Sequence, residues 1–343
     1  MTYELKRIVQ KAIYNQSLGI KNVLATVVDL DGSSYRHPGV RMLLSSTGKM
    51  LGAVSAGCVE NEILRQSESV FETGKSKMMT YDGRYRLGCE GVLYILLESF
   101  QVYEDFKIAF IENLENRLAI SIKSYYKKKD GCEGDFYSLI SFGKNVSFSF
   151  SEIKNTHKVL SKDIKVFKQV LPPCFKLLII GGEHDAVKLC KSAALLGWEI
   201  DIITPVKNPK KIEDFPGAKS VTTNTPENFN SNSLDSRSAI VLMTHNYAQD
   251  LSYLLRLKDC NLPYIGILGS AKRREQLYND LFEYTSELKV SFLESIYSPA
   301  GLNIGAITPE EIAVSIISEI LTTIRNKKPV HLKTISGKIH LQS

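Results

Sequence analysis

Apolar positions near the N-terminus recur with helical spacing. Leu5, Ile8, Val9, Ala12 and Ile13 fall at i, i+3, i+4, i+7 and i+8, which predicts an amphipathic helix over 4–17 whose stripe docks on the sheet that follows. Short β-rich runs bounded by Gly, Asp and Ser come next, at 23–28, 40–44, 92–97 and 118–122. They predict an α+β first half with a mostly antiparallel sheet. Residues 101–170 carry the least pattern. At Leu171-Pro172-Pro173 the character changes, and Phe175 to Ile180 form a continuous apolar run of the kind buried on both faces of a parallel sheet. From there, strands expected at 200–204, 239–244 and 264–268 alternate with helices expected at 185–197, 247–258 and 270–282. This is the signature of βαβ units and a doubly wound parallel sheet. A last helix is announced by Thr308, Pro309 and Glu311, a capping box with proline in the first turn. The linker is expected within 151–174, with domains at 1–165 and 166–343.

Composition narrows the classes. The chain has 343 residues, 43% of them hydrophobic, and a net charge of +6, so it has enough apolar content for two packed cores. The positive excess is spread thinly, without a dense basic run interleaved with aromatics, which favours small anions over nucleic acid as partners. No signal-peptide pattern opens the sequence, and no apolar stretch approaches the roughly 18 residues of a membrane span. The expectation is a protein of the cytoplasm. Six cysteines, at 58, 89, 132, 174, 190 and 260, form no Cys-x-x-Cys pair. Zinc-ribbon and thioredoxin signatures are therefore excluded, and each thiol has to be judged singly.

Candidate chemistry in the first half lies in three segments. Asp31-Gly-Ser-Ser-Tyr-Arg-His-Pro-Gly-Val-Arg41 packs glycines, the hydroxyls of Ser33 and Ser34, and the guanidinium groups of Arg36 and Arg41 between two strands. Converging N–H groups, hydroxyls and arginines are the elements of an anion cradle, and equally those of a solvated hairpin loop. Gly52-Ala-Val-Ser-Ala-Gly-Cys58 passes from a strand into a helix. A thiol at a helix N-terminus feels the positive end of the dipole, so Cys58 is the leading reactive-thiol candidate, with tight packing as the alternative. Leu87-Gly88-Cys89-Glu90-Gly91 repeats the glycine-flanked pattern, and two such thiols can converge on one ligand. Cys132, Cys174, Cys190 and Cys260 lack this setting and are expected to be packing or surface residues.

In the second half the first strand ends in Gly181-Gly182-Glu183-His184-Asp185-Ala186, where a dinucleotide fold places its glycine-rich turn. Glu183 occupies the middle glycine position, where a carboxylate would crowd and repel a pyrophosphate. Thr204 stands where the second strand would present an acid to a ribose. Both departures argue against NAD(P). His184 and Asp185 are candidates for a polar cluster. Thr244-His245-Asn246 and Gly269-Ser270-Ala-Lys272-Arg273-Arg274 follow two further strands and point to the same edge, where such sheets bind ligands. Lys272 and Arg273 beside a helix N-terminus suit a phosphate, or else form a solvated charged face. The glycine-rich stretch from Tyr297 to Gly305 is expected to close over that edge.

The motifs GSSYRHPGVRM, GAVSAGCVENEI and LGCEG in the first half, and GGEHDA, MTHNYAQDL, YIGILGSAKRR and SPAGLNIGAITPEEIA in the second, occur in one order. In them the chain resembles the XdhC/CoxI family, accessory proteins that handle molybdenum cofactor for xanthine dehydrogenase and related hydroxylases. The resemblance covers nearly everything except about 101–170. It implies an N-terminal α+β domain of XdhC/CoxI type followed by a Rossmann-like domain. It further implies a chaperone without turnover of its own, which binds molybdopterin-type cofactor, protects it during sulfuration and delivers it to an apo-hydroxylase. Ser33, Ser34, Arg36, Arg41, Cys58 and Cys89 in the first domain, and Gly181, Gly182, His184, His245, Ser270 and Arg273 in the second, are the implied cofactor contacts. Cys58 and Cys89 are the transient molybdenum contacts among them, and the expected site is a cleft. The implied partners are apo xanthine dehydrogenase or a related molybdenum hydroxylase, a cysteine desulfurase, and a second copy in a homodimer. The rival functions are an NAD(P)-binding oxidoreductase and a docking protein that joins a desulfurase to an apo-hydroxylase.

Overall fold

The stripe of Leu5, Ile8, Val9 and Ala12 is buried, as helical spacing requires, on helix α1 (Thr2–Ser17). The computed structural model that shows this describes residues 1–32, 37–54, 58–84, 91–143, 146–151, 163–285 and 287–336, and for Cys58 the backbone alone. The chain divides into two units, Met1–Pro173 and Cys174–Ser343.

In the first unit α1 is followed by β1 (Asn22–Asp31), β2 (Arg41–Ser45), β3 (Met50–Gly52), α2 (Cys58–Thr73), β4 (Ser76–Asp82), β5 (Val92–Ser99) and α3 (Glu104–Glu115). Then come β6 (Ile120–Lys127), β7 (Glu133–Gly134), β8 (Tyr137–Phe142), β9 (Val146–Ser149) and β10 (Ile164–Leu171). Two antiparallel sheets result, in the orders β3-β2-β1-β5-β4-β7 and β10-β6-β8-β9. Alternation sorts the side chains of the first sheet. Val23, Ala25, Val27, Met42 and Leu44 pack with Val59, Ile63 and Val70 of α2, while Leu24 and Leu43 pack with α1, α3 and the second sheet. Part of the stretch expected to be linker is strand: β10 pairs with β6 over its whole length, from Ile164↔Lys127 to Leu171↔Ile120. The expected domain limit at 165/166 falls inside that strand.

The second unit runs β11 (Lys176–Ile180), α4 (His184–Leu195), β12 (Glu199–Thr204), β13 (Ser220–Thr223), β14 (Ser238–Leu242), α5 (Tyr247–Leu257), β15 (Tyr264–Ile267), α6 (Ala271–Tyr284), α7 (Val290–Glu294), β16 (Ile296–Tyr297) and α8 (Pro309–Ile324). All strand pairs are parallel, in the order β13-β12-β11-β14-β15-β16. Numbered within the unit this is 3-2-1-4-5-6, the Rossmann order, with its switch point between β11 and β14. The apolar run of β11 is buried on both faces, as a central parallel strand must be. Leu177 and Ile179 join the core under α4 and α8, and Leu178 and Ile180 the core under α5, α6 and α7. Thr308 caps α8 by accepting from the Glu311 N–H at 3.3 Å, and the Glu311 carboxylate accepts from the Thr308 N–H at 3.0 Å.

Candidate functional site

The switch point of the second unit gathers polar residues at the carboxyl ends of β11, β14 and β15. Gly181 and Gly182 are buried where β11 ends. A Cβ on Gly181 would stand 2.9 Å from the Met243 carbonyl carbon, so only glycine lets the two strand ends lie this close. Glu183 is exposed at the N-cap of α4 and makes no capping bond. His184 is exposed on the first turn of α4. His245 follows β14 with φ of 55°, a left-handed conformation uncommon outside glycine. Its Nε2 lies 3.0 Å from Oδ2 of Asp185 on α4.

Next to that pair, Asp250 on α5 is 1% exposed. It accepts from the Thr244 hydroxyl at 2.6 Å and from Arg273 Nη2 at 2.5 Å. Burial raises the Asp250 pKa, and the bonds from Thr244 and Arg273 work in the opposite direction. Arg273 is thereby held against α5 with its guanidinium 5.6 Å from the Tyr247 ring centroid, and its Nε is buried without a hydrogen-bond partner. Ser270 caps α6 by accepting from the Arg273 N–H at 3.3 Å. Thr204, at the end of β12, is buried and uses its hydroxyl within the adjoining loop, on Thr222 O at 3.3 Å and the Lys210 N–H at 3.4 Å. The structure therefore brings Gly181, His245, Ser270 and Arg273 to one sheet edge with Asp185, Thr244 and Asp250.

In the first unit the expected anion loop divides. Asp31, at one end, accepts from Lys128 at 2.6 Å and from Tyr94 at 2.9 Å. These partners hold its carboxyl below the ordinary range, the Lys128 bond most of all. Ser33, Ser34, Arg36 and Cys89 lie outside the described residues. Helix α2 begins at Cys58, as the change of pattern there predicts.

Arg41, at the other end, belongs to a strand and is 7% exposed. Its Nη1 donates to Gly39 O at 2.9 Å and Gln169 Oε1 at 2.7 Å, while Nε and Nη2 are buried and have no partner. Burial pulls its pKa down to about 10. Thr26, its cross-strand partner on β1, is fully buried, and its hydroxyl also lacks a partner. Glu98 lies in the same seam between the two sheets, fully buried, and accepts from the Ser138 N–H at 2.8 Å and the Ser138 hydroxyl at 2.6 Å. Burial pushes the Glu98 carboxyl up to about 7.

Of the remaining thiols, Cys174 and Cys190 are buried and Cys132 and Cys260 half-buried, and burial lifts Cys190 to about 11. Among the described residues no three His, Cys, Asp or Glu side chains cluster as a metal site. No described helix is long and apolar enough to cross a membrane.

Comparison with known proteins places this geometry. Residues 177–320 match the XdhC Rossmann domain and residues 17–82 match the XdhC and CoxI family, so that the two matches cover more than half of the chain. The chain belongs to the XdhC and CoxI family. It is 28% identical over 333 residues to a probable xanthine dehydrogenase subunit of Bacillus subtilis (strain 168), covering 88% of this chain and 92% of that protein. It is 21% identical to the molybdenum cofactor insertion chaperone PaoD of Escherichia coli (strain K12), over 93% of this chain and 89% of PaoD. Its fold is shared with the crystal structure of a xanthine dehydrogenase from Bacillus halodurans, with a TM-score of 0.74, 24% identity, and coverage of 94% of this chain and 96% of that one.

Within this XdhC and CoxI chain, sequence reasoning passed over Asp250, Glu98, Thr26 and Gln169. Two of them left a signal. Asp250 interrupts the apolar side of a helix that continues Leu251, Leu254, Leu257, and Glu98 is a lone acid at the end of the apolar strand Val92-Leu-Tyr-Ile-Leu-Leu97. A buried acid in such a run needs a partner from another element.

Proposed function

We propose that this chain is a maturation chaperone for a molybdenum hydroxylase of the xanthine dehydrogenase class. It binds molybdopterin-type cofactor, keeps it through sulfuration and hands it to the apo-enzyme. The observation that carries this reading is the presence of both family modules in one chain that also aligns along nearly its whole length with PaoD. In this reading Arg36 and Arg41, with Ser33 and Ser34, grip the cofactor phosphate. Cys58 and Cys89 approach molybdenum or its sulfur as soft, reversible ligands. In the second unit Gly181, Gly182, His184, His245, Ser270 and Arg273 form a further polar contact surface at the sheet edge. Asp250 is a positioning residue there, because it fixes Arg273 and Thr244 without being exposed itself.

The test is to purify the chain from a host that makes the cofactor and from one that cannot, and to assay the pterin released on denaturation. Pterin in the first preparation alone is expected. Equal and negligible pterin in both overturns the reading. Cys58→Ser is expected to retain the fold yet fail to support activation of the client hydroxylase. Full activation by that variant would instead support a docking role without cofactor contact.

A further inference from the structure

The sheet face of the second unit that carries Leu178 and Ile203 holds a cavity that none of the cofactor residues lines. Parallel strands are ordinarily joined through an α-helix, whose apolar side would fill such a face. Between β13 and β14 the chain instead runs through 224–237, Asn-Thr-Pro-Glu-Asn-Phe-Asn-Ser-Asn-Ser-Leu-Asp-Ser-Arg, with one short 3-10 turn, Pro226–Asn228. Asparagine and serine compete with helix by bonding to the backbone locally. Phe229 and Leu234 of this segment pack against the core that holds Leu178 and Ile203. They leave a cavity of about 210 Å³ over β11, β12 and β13. One water takes up about 30 Å³ and pockets for drug-sized ligands begin near 300 Å³, so the matching occupant is a compact molecule of about ten heavy atoms.

Hydrogen-bonding capacity decides its class. Asp201 and Ser220 are cross-strand partners on β12 and β13, and Thr222 lies two residues farther along β13. All three line the cavity. The Ser220 hydroxyl donates to Asp201 Oδ1 at 2.6 Å, and the Thr222 hydroxyl to Ile202 O at 3.3 Å. With their protons committed, both hydroxyls meet a ligand as acceptors, as does Asp201. Asn230, also in the lining, accepts from the Asn232 N–H through Oδ1 at 2.8 Å, which leaves its amide N–H groups as donors. The Asp201 charge is already met, because Lys176 Nζ lies 3.4 Å from Oδ2 while donating to Ser233 O at 3.2 Å. That ammonium repels a cation and the carboxylate repels an anion. The lining therefore suits a neutral molecule with several donors and at least one acceptor. Ser220 and Thr222 stand about 7 Å apart along the strand. Adjacent N–H groups on one edge of a heterocycle are too close together to reach both. Hydroxyls spread along a short carbon skeleton do reach, and each both donates and accepts.

We propose that this cavity binds a small uncharged polyol, a sugar or sugar alcohol of five or six carbons, with Asp201, Ser220 and Thr222 as acceptors and Asn230 as donor. Leu178, Ile203 and Phe229 supply the apolar wall for its C–H groups. The inference is independent of the cofactor reading, which assigns none of these residues.

The full chain, labelled at its leucine and isoleucine methyl groups, is titrated with ribitol and with D-ribose, and NMR follows Leu178, Ile203 and Leu234. The control is 1,5-pentanediol, which has the same chain length without the inner hydroxyls, and adenosine offers ribose within a larger molecule. Saturable shifts at these methyls are expected with ribitol or ribose, at a Kd of about 1 mM for a ligand of about ten heavy atoms, and none with pentanediol. Thr222→Val and Asn230→Ala, both at exposed positions, should each weaken binding about threefold, and Asp201→Asn about tenfold. If Asp201→Asn does not fold, the two exposed variants decide. Absence of shifts with both polyols, equal shifts with pentanediol, or unchanged affinity in Thr222→Val and Asn230→Ala overturns the proposal. Binding of adenosine without binding of ribose or ribitol overturns it too, in favour of a nucleoside.

Discussion

The two units treat buried charge in opposite ways. In the second unit the buried acid Asp250 has its arginine at hydrogen-bond distance and a hydroxyl on its other oxygen. In the first unit the buried acid Glu98 and the buried base Arg41 share a seam, yet each is bonded elsewhere, and Arg41 keeps two unused donors. A paired charge holds elements in register. An unpaired one is held at a cost in stability. The Rossmann edge of the second unit keeps one unused buried donor, Arg273 Nε, beside its ion pair, whereas in the seam of the first unit Arg41 keeps Nε and Nη2 unused and has no ion pair among the described residues.

That contrast is open to test, beginning with the largest effect. Asp250→Ala leaves Arg273 partly buried without its counter-charge and should cost roughly 3–5 kcal/mol, read as a lowered denaturation midpoint of the second unit. A loss below about 1 kcal/mol would show that the pair is not fixing α5 to α6.

Glu98 provides the opposite test. Its folded pKa of about 7 lies above the ordinary glutamate value of 4.5, so the native state holds a proton that the unfolded chain has released. Stability therefore falls as pH rises from about 4.5 to about 7, and the full penalty, about 3 kcal/mol, persists above that window. Urea denaturation across the window should show this slope in the wild type and lose it in Glu98→Gln. An unchanged slope would mean that Glu98 is ionised throughout.

Smaller effects sharpen the picture at the Rossmann edge. Thr308→Ala removes the cap of α8 and should cost about 1 kcal/mol. His245→Gly relieves the left-handed backbone and gives up an exposed bond to Asp185, for a net gain of about 0.5 kcal/mol in thermal unfolding. A large loss in that variant would show that the His245–Asp185 pair matters to the fold.

Much of this architecture is legible in the sequence because it follows from local periodicity. The stripe of α1, the two-faced apolar run of β11, the alternation after residue 175 and the capping box of α8 each follow from residues close together in the chain. β10 is less so. Its exposed Lys165, Val166, Lys168 and Val170 mix charge with apolar side chains and mask an edge strand whose partner β6 is some forty residues earlier. Among the site residues, Gly181, His245, Ser270 and Arg273 are legible because parallel strands in a doubly wound sheet must end on one side. Asp250 is not, since its importance lies in Thr244 and Arg273, which are held by a strand end and another helix.

The elements with a clear local period, the two-unit plan and the family motifs are determined by the sequence alone, because each depends on spacing within a turn of helix, a strand or a loop. Which charges are paired was decided only by tertiary structure. Arg41 reads as part of an anion cradle or of a solvated hairpin loop until β10 and the second sheet close over it, and Glu98 reads as a strand-end acid until Ser138 is brought against it. Desolvation depends on what the rest of the chain places around a group, and that information is not contained in the residue or its neighbours.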